Sequence, residues 1–220
     1  ETGSWVAGLS DADCAAEDGL VGEGWGAIIK VLRSSDTSVP LDVGVECAPG
    51  EEGFVWLNTP ALMKGYFQRD DLTKQAVIDG WFLTGDIGVI DDKGRLVLRG
   101  RERDEINKGG MKIYPADVDA VVERFEYASD VCTFALDDAI YGQTVGIAIV
   151  LTKRDDATIR ALHQWMKLHL AEHKLPSRWW IVEEIPRTSR GKINRDAVNA
   201  ACIDLAPLDL PSILGGGIKV

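Results

Sequence analysis

Residues 80–115, GWFLTGDIGVIDDKGRLVLRGRERDEINKGGMKIYP, constrain this chain more than any other stretch. Two short apolar runs, 88–90 and 95–99, flank Asp92-Lys93-Gly94, the pattern of a β-hairpin. A second turn follows at Gly109-Gly110, where glycine supplies positive φ without steric cost. Pro115 then sits where a helix can begin. The segment predicts two hairpins running into a helix. Asp86 lies in a polar turn at its entrance and Arg101 directly after the second run, so an acid and an arginine can meet.

Upstream, residues 26–32, 43–47 and 54–57 alternate in hydropathy between glycine and proline breaks, which predicts antiparallel strands. A turn at Met63-Lys64-Gly65 and a short helix over 70–77 complete this half. Downstream of Ile106 the pattern changes. A helix from Pro115 carries Asp117 near its positive end and an apolar stripe of Val118, Val121, Val122 and Phe125. Residues 131–136 and 144–151 read as strands, the second apolar throughout as suits a sheet centre. A helix over 157–173, a strand over 179–182, a loop over 188–192 and a helix over 195–202 follow. The order predicts an α+β fold, with a compact second domain of about a hundred residues. The end, 204–220, has proline and glycine but little to pack, and reads as tail or linker.

The chain has 35 acids against 24 bases, a net charge of −11, which argues against nucleic acid or an anionic membrane as main partner. No apolar run approaches the roughly 20 residues of a membrane span. The acids concentrate early, with 17 against 8 bases in residues 1–100 and 18 against 16 in 101–220. Any anion chemistry therefore belongs to the second half, where Lys174, Arg178, Arg187, Arg190, Lys192 and Arg195 gather. The alternative is a solvated basic edge. Cys14, Cys47, Cys132 and Cys202 have no metal-ligand spacing, which favours reduced thiols and a cytoplasmic setting. His163, His169 and His173 fall along one predicted helix and read as surface residues. The first residue is not methionine, so the sequence reads as a fragment or a processed chain.

Four motifs stand in a recognisable order: Gly85-Asp86, Gly100-Arg101, Gly109-Gly110 with Tyr114-Pro115, and Pro186-Arg-Thr-Ser-Arg-Gly-Lys192. Together they resemble the C-terminal half of adenylate-forming enzymes (the ANL superfamily), and within it the acyl-CoA synthetases, AMP-dependent acid–thiol ligases. The resemblance runs from the first residues to about Cys202. It implies an antiparallel β-barrel-like part over 1–101, ending a larger N-terminal adenylation domain. A small mobile domain over 102–205, with a mostly antiparallel sheet flanked by helices, would follow, and 206–220 is left as tail.

The resemblance also implies roles. Lys192 is the catalytic residue, carried by a flexible Ser189-Arg190-Gly191 loop to the α-phosphate of ATP, where negative charge accumulates as a carboxylate attacks. Asp86 and Arg101 bind the nucleotide, the carboxylate by accepting from the ribose hydroxyls. Read without the family, Asp86 is turn chemistry, Arg101 a surface ion pair and Lys192 a solvent-facing lysine. Glu1 and Thr2 match the end of a nucleotide-binding motif in which the glutamate helps hold Mg²⁺; the alternative is that 1–3 are appended residues. Arg103 falls at the hinge, where the family more often has Asp or Lys. Gly109 and Gly110 line the route of CoA. The implied substrates are ATP, a carboxylic acid and CoA, with AMP as product. The triphosphate loop and acyl pocket are absent from this sequence, so the chain is expected to need an N-terminal portion, from the same gene or a separate chain. Two alternatives remain open: an adenylation domain loading a carrier protein, and a non-catalytic interaction module.

Overall fold

The computed structural model describes residues 1–3, 5–9, 19–36 and 45–215, and divides into two compact units, Glu1–Arg103 and Asp104–Val220. In the first, β1 (Ala7–Gly8), β2 (Leu20–Gly24), β3 (Ile28–Leu32), β4 (Gly53–Asn58), β5 (Val77–Ile78), β6 (Trp81–Ile90) and β7 (Leu96–Arg101) form one sheet. Its order is β1-β2-β7-β6-β4-β3, with β5 on β6 and every pairing antiparallel. Alternation along β3 and β4 sends Val31, Val55 and Leu57 into one core and Leu32 and Trp56 into another, so both faces are covered. Among its described residues the α-helix is α1 (Asp70–Ala76), with Asp70 and Asp71 in its first turn and Lys74 in its last, as the helix dipole favours.

The hairpin at Asp92-Lys93-Gly94 forms as expected. Asp91 Oδ1 accepts from the amides of Lys93 and Arg95, and Gly94 takes φ +80°. Asp86 corrects the expectation of a turn, because it lies inside the ten-residue β6. The kink is a bulge rather than a chain reversal. Gly85 has φ +73°, the Thr84 hydroxyl donates to the Val55 carbonyl at 3.0 Å, and the Asp86 amide donates to that hydroxyl at 3.0 Å. The strand expected over 43–47 lies partly outside the described residues. Within them, Cys47 N donates to Val31 O at 2.9 Å beside a single Leu32–Glu46 bridge.

The second unit builds its sheet from β8 (Ile106–Lys108), β9 (Met111–Ile113), β10 (Ala128–Asp138), β11 (Gly142–Leu151) and β12 (Arg178–Ile181). The order is β10-β11-β8-β9, and β12 runs parallel to β11 in an otherwise antiparallel sheet. Helices α2 (Pro115–Glu123) and α3 (Asp156–His169) supply Val118, Val122, Ile159, Leu162 and Met166 to one core, against Val131, Ile147, Ile149 and Trp179. Helix α4 (Arg195–Ile203) covers the other face with Val198 and Cys202 against Cys132, Phe134, Ala148 and Trp180. Neighbours in sequence, Trp179 and Trp180, thus enter opposite cores. This two-sided burial is why β11 is apolar from Val145 to Leu151.

Two expectations fail here. Helix α3 ends at His169, four residues early, and His173 sits in a separate 3-10 turn, Glu172–Lys174. Leu170 and Ala171 are extended, which aims the chain at Pro176. His169 and His163 also pack on aromatic rings, with Trp165 at 3.9 Å and Trp179 at 6.1 Å. Nor does the described part of the tail lack packing. The Leu208 amide donates to Trp179 O at 2.8 Å, and the short α5 (Leu210–Ile213) lays Leu210 and Ile213 on the α2–α3 core. Arg160 Nη1 donates to Ile213 O at 2.7 Å. Apolar side chains at 208, 210 and 213 found a partner the local sequence does not name. Ending the chain at Pro207 should therefore destabilise the second unit by about 2 kcal/mol, since three partly buried side chains are lost. An unchanged midpoint in urea denaturation would contradict this packing.

Candidate functional site

In the first unit, β6 and β7 bring Asp86 and Arg101 into register as cross-strand partners. Arg101 Nε lies 2.9 Å from Asp86 Oδ1, with the arginine side chain 49% exposed and the aspartate 21%. An ion pair this open contributes under about 1 kcal/mol, so stability is a poor reason for it. It does present a carboxylate and a guanidinium side by side, able to accept from vicinal hydroxyls and donate to anionic oxygens. Glu1 and Thr2 run beside residues 61–63. Thr2 bridges Leu62, and Met63 N donates to Glu1 O at 2.8 Å. The Tyr66 hydroxyl donates to Glu1 Oε1 at 3.1 Å, and burial followed by that carboxylate pushes the phenol pKa up. Glu1 is exposed and offers a hard oxygen donor, which fits a Mg²⁺ completed mainly by phosphate and water oxygens. Arg103 lies in a one-turn 3-10 helix, Glu102–Asp104, where the two units divide.

In the second unit, Gly109 (φ +60°) and Gly110 (φ +91°) make the β8–β9 turn, both in the left-handed region a tight hairpin demands. Gly109 N donates to Tyr141 O at 2.9 Å and Gly110 N to Asn107 Oδ1 at 2.8 Å. A Cβ on Gly109 would stand 3.1 Å from the Tyr141 ring, while one on Gly110 would meet nothing within 4 Å. Both amides are engaged, so the turn offers a ligand a slim, side-chain-free surface rather than donors.

Lys192 closes the turn that begins at Thr188. Thr188 N donates to Lys192 O at 2.7 Å, Gly191 N to Thr188 O at 2.8 Å, and Lys192 N to the Thr188 hydroxyl at 3.2 Å. Gly191 has φ +79°. The lysine is exposed, as a residue that must reach a ligand requires.

The basic cluster around it is not uniformly available. Lys174 pairs with Asp117 at 2.6 Å, Arg187 with Asp130 at 2.8 Å, and Arg195 with Asp119 at 2.8 Å. Three of these six cations are thus engaged by carboxylates from other elements, so the group is not one uniform set of open cations. The Asp119–Arg195 pair is the one the sequence hid. Asp119 sits 5% exposed among the valines of α2, and its Oδ1 accepts from Thr133 N at 2.7 Å. Arg195 Nη1 donates to Thr133 O at 2.7 Å. An acid interrupting an apolar helical stripe was the available signal. Burial pushes the Asp119 carboxyl up to about 6, against the downward pull of Arg195 and the Thr133 amide.

An unfolded Asp releases its proton near pH 3.9, whereas the native carboxyl holds it to about pH 6. This group's contribution to stability is complete below about pH 4 and falls as pH rises through 6. Asp119→Asn keeps the shape and removes the ionisable carboxyl, so it should flatten that part of the stability–pH curve. Denaturation midpoints from pH 4 to 7 would check this.

Residues 117–192 match the family model of the AMP-binding enzyme C-terminal domain. The chain is 35% identical over 196 residues to a 2-succinylbenzoate–CoA ligase of Geobacillus sp. strain WCH70, across 89% of this chain and 38% of that protein. It is 33% identical over 182 residues to the oxalate–CoA ligase of Saccharomyces cerevisiae, across 82% of this chain and 32% of that protein. Its structure superposes on an o-succinylbenzoate CoA synthetase from Bacillus subtilis, solved with its acyl-adenylate intermediate. That match has a TM-score of 0.79 and 27% identity over 92% of this chain and 39% of that one. The second unit thus carries the AMP-binding enzyme C-terminal domain, and the chain as a whole is similar to the C-terminal portion of adenylate-forming acyl-CoA ligases. It spans about a third to two fifths of the length of these relatives.

Proposed function

We propose that this chain is the C-terminal part of an ATP-dependent acid–thiol ligase, which activates a carboxylic acid as its acyl-AMP and passes the acyl group to CoA. The observation that carries the reading is the Asp86–Arg101 pair, open to solvent and worth too little to be a structural device. In this reading Asp86 accepts from the ribose hydroxyls, Arg101 donates to ribose or phosphate oxygens, and Glu1 and Thr2 border the same nucleotide. Glu1 would give one oxygen to Mg²⁺, which neutralises phosphate charge when bound. Lys192 donates to the α-phosphate region as the carboxylate attacks and pyrophosphate leaves. Its exposure and the Gly191 turn suit a residue that meets the nucleotide only for that step. Arg103, between the two units, is the pivot. The bare Gly109-Gly110 turn flanks the thiol arm of CoA during transfer.

The acid pocket and triphosphate loop are assigned to an N-terminal portion, so the chain alone does not form an adenylate. A small carboxylic acid and CoA are the substrates, and the setting is cytoplasmic, in keeping with free thiols at Cys47, Cys132 and Cys202. The related-ligase names support CoA over a carrier protein as acceptor. The experiment mixes the chain with the N-terminal portion of the Geobacillus 2-succinylbenzoate–CoA ligase and follows pyrophosphate release, then thioester formation, with succinylbenzoate, ATP and CoA. Neither part alone should release pyrophosphate, and the mixture should. Lys192→Ala should lower adenylation about 10²–10³-fold, the usual loss for one preorganised charge-stabilising donor, and spare thioester formation from supplied acyl-AMP. Unaltered adenylation in that variant would defeat the role given to Lys192. Adenylate formation by the chain alone would defeat the partition.

A further inference from the structure

Lys192 is reached through a loop with little packing of its own, yet a lysine that must meet one phosphorus needs a defined origin. The loop is flanked by Arg187 and Arg195, five residues before and three after. Both guanidinium groups dock on β10 or on what β10 holds. On the outgoing side, the half-buried Arg195 pins the first turn of α4. On the incoming side, Arg187 does something different. Its Nη2 donates to both oxygens of Asp130 at 2.8 Å, and its Nη1 donates to the carbonyl of Gly191, immediately before Lys192, at 3.1 Å. Asp130 is fixed in turn, since its Oδ1 accepts from Val131 N at 3.0 Å. A bridge between Arg187 and Ile193 closes the base of the loop.

We propose that Arg187 is a positioning residue for Lys192, tying the lysine's own backbone to β10 through Asp130. This rests on the reading of Lys192 as the phosphate-contacting lysine. The Arg187 side chain is 44% exposed, and such a pair adds little to stability. What it supplies is geometry. Two separate amino groups on one planar guanidinium span from a strand carboxylate to a loop carbonyl, and a single lysine ammonium cannot hold the same two partners in that fork. The competing use of Arg187, direct contact with a nucleotide phosphate, makes the opposite prediction about Asp130. Removing that carboxylate would leave a phosphate contact intact or strengthen it, whereas it removes the anchor of a tether.

The test uses Arg187→Lys, Asp130→Asn and their combination in the 220-residue chain. Amide exchange at Thr188, Gly191 and Lys192 is read by NMR, with amides of β11 and α3 as internal reference. Each single variant should speed exchange in the loop about tenfold, the double variant no further than either single one, and the reference amides should stay within twofold. Loop exchange within twofold of the parent in both single variants overturns the proposal, as does an equal rise throughout the second unit. With the N-terminal portion added, both single variants should lower kcat for adenylation about tenfold and leave the KM for ATP within twofold. A raised KM in Arg187→Lys with none in Asp130→Asn assigns Arg187 to the phosphate and overturns it too. Failure of Lys192→Ala to slow adenylation removes the catalytic reading and leaves the exchange result standing, so the two ideas fail separately.

Discussion

A half-buried guanidinium in the first turn of α4 is the constraint on which the second unit turns. Arg195 loses most of its hydration, and burial alone would lower its pKa, but the Asp119 carboxylate and the Thr133 carbonyl restore what water gave it. Its neighbour Cys132 is fully buried, and that burial lifts the thiol to about 12. Such a pair has one satisfactory geometry, so it fixes α2, β10 and α4 together. It also reaches toward Asp104, where the unit begins, at 3.8 Å. The loop bearing Lys192 is the segment entering this helix, and the pair sets where that segment must end.

The first unit solves a different problem. Its polar pair has to stay wet, and β7 accomplishes that by ending at it. Arg101, the last residue of β7, pairs with Asp86 midway along the ten-residue β6, directly after the Gly85 bulge. The Thr84 hydroxyl takes over a ladder partner at that bulge, so the irregularity leaves the Val55 carbonyl satisfied. One unit thus positions a solvent-open pair by strand register and the other positions an exposed lysine by buried charge. In both, the groups assigned to chemistry contribute little to stability, while the groups beneath them contribute a good deal.

Local patterning was informative wherever one residue type has few uses. Asp-Lys-Gly and Gly-Gly gave both hairpins, and unbroken apolarity gave β11 as a central strand. Proline at the start of α2 and the valine stripe behind it gave that helix within a residue or two. The motifs from Gly85 to Lys192 pointed to the family before any fold was in hand. The short β1, β2 and β5 escaped because two to five residues with little alternation carry no periodic signal. The packing of residues 208–213 escaped because their partner, the α2–α3 core, lies distant in sequence.

What the sequence determined by itself was the list of elements, the separation of a β-rich from an αβ-alternating half, and the residues able to do phosphate chemistry. Backbone preference and side-chain chemistry are local properties, and those three things follow from them. Only the tertiary structure decided which cations were available. Lys174, Arg187, Arg190, Lys192 and Arg195 look alike in the chain, and their partners come from other elements. Asp117, Asp130 and Asp119 claim three of them. The reason is that a charge's role depends on its desolvation and on the nearest opposite charge, and both are fixed by residues many positions away.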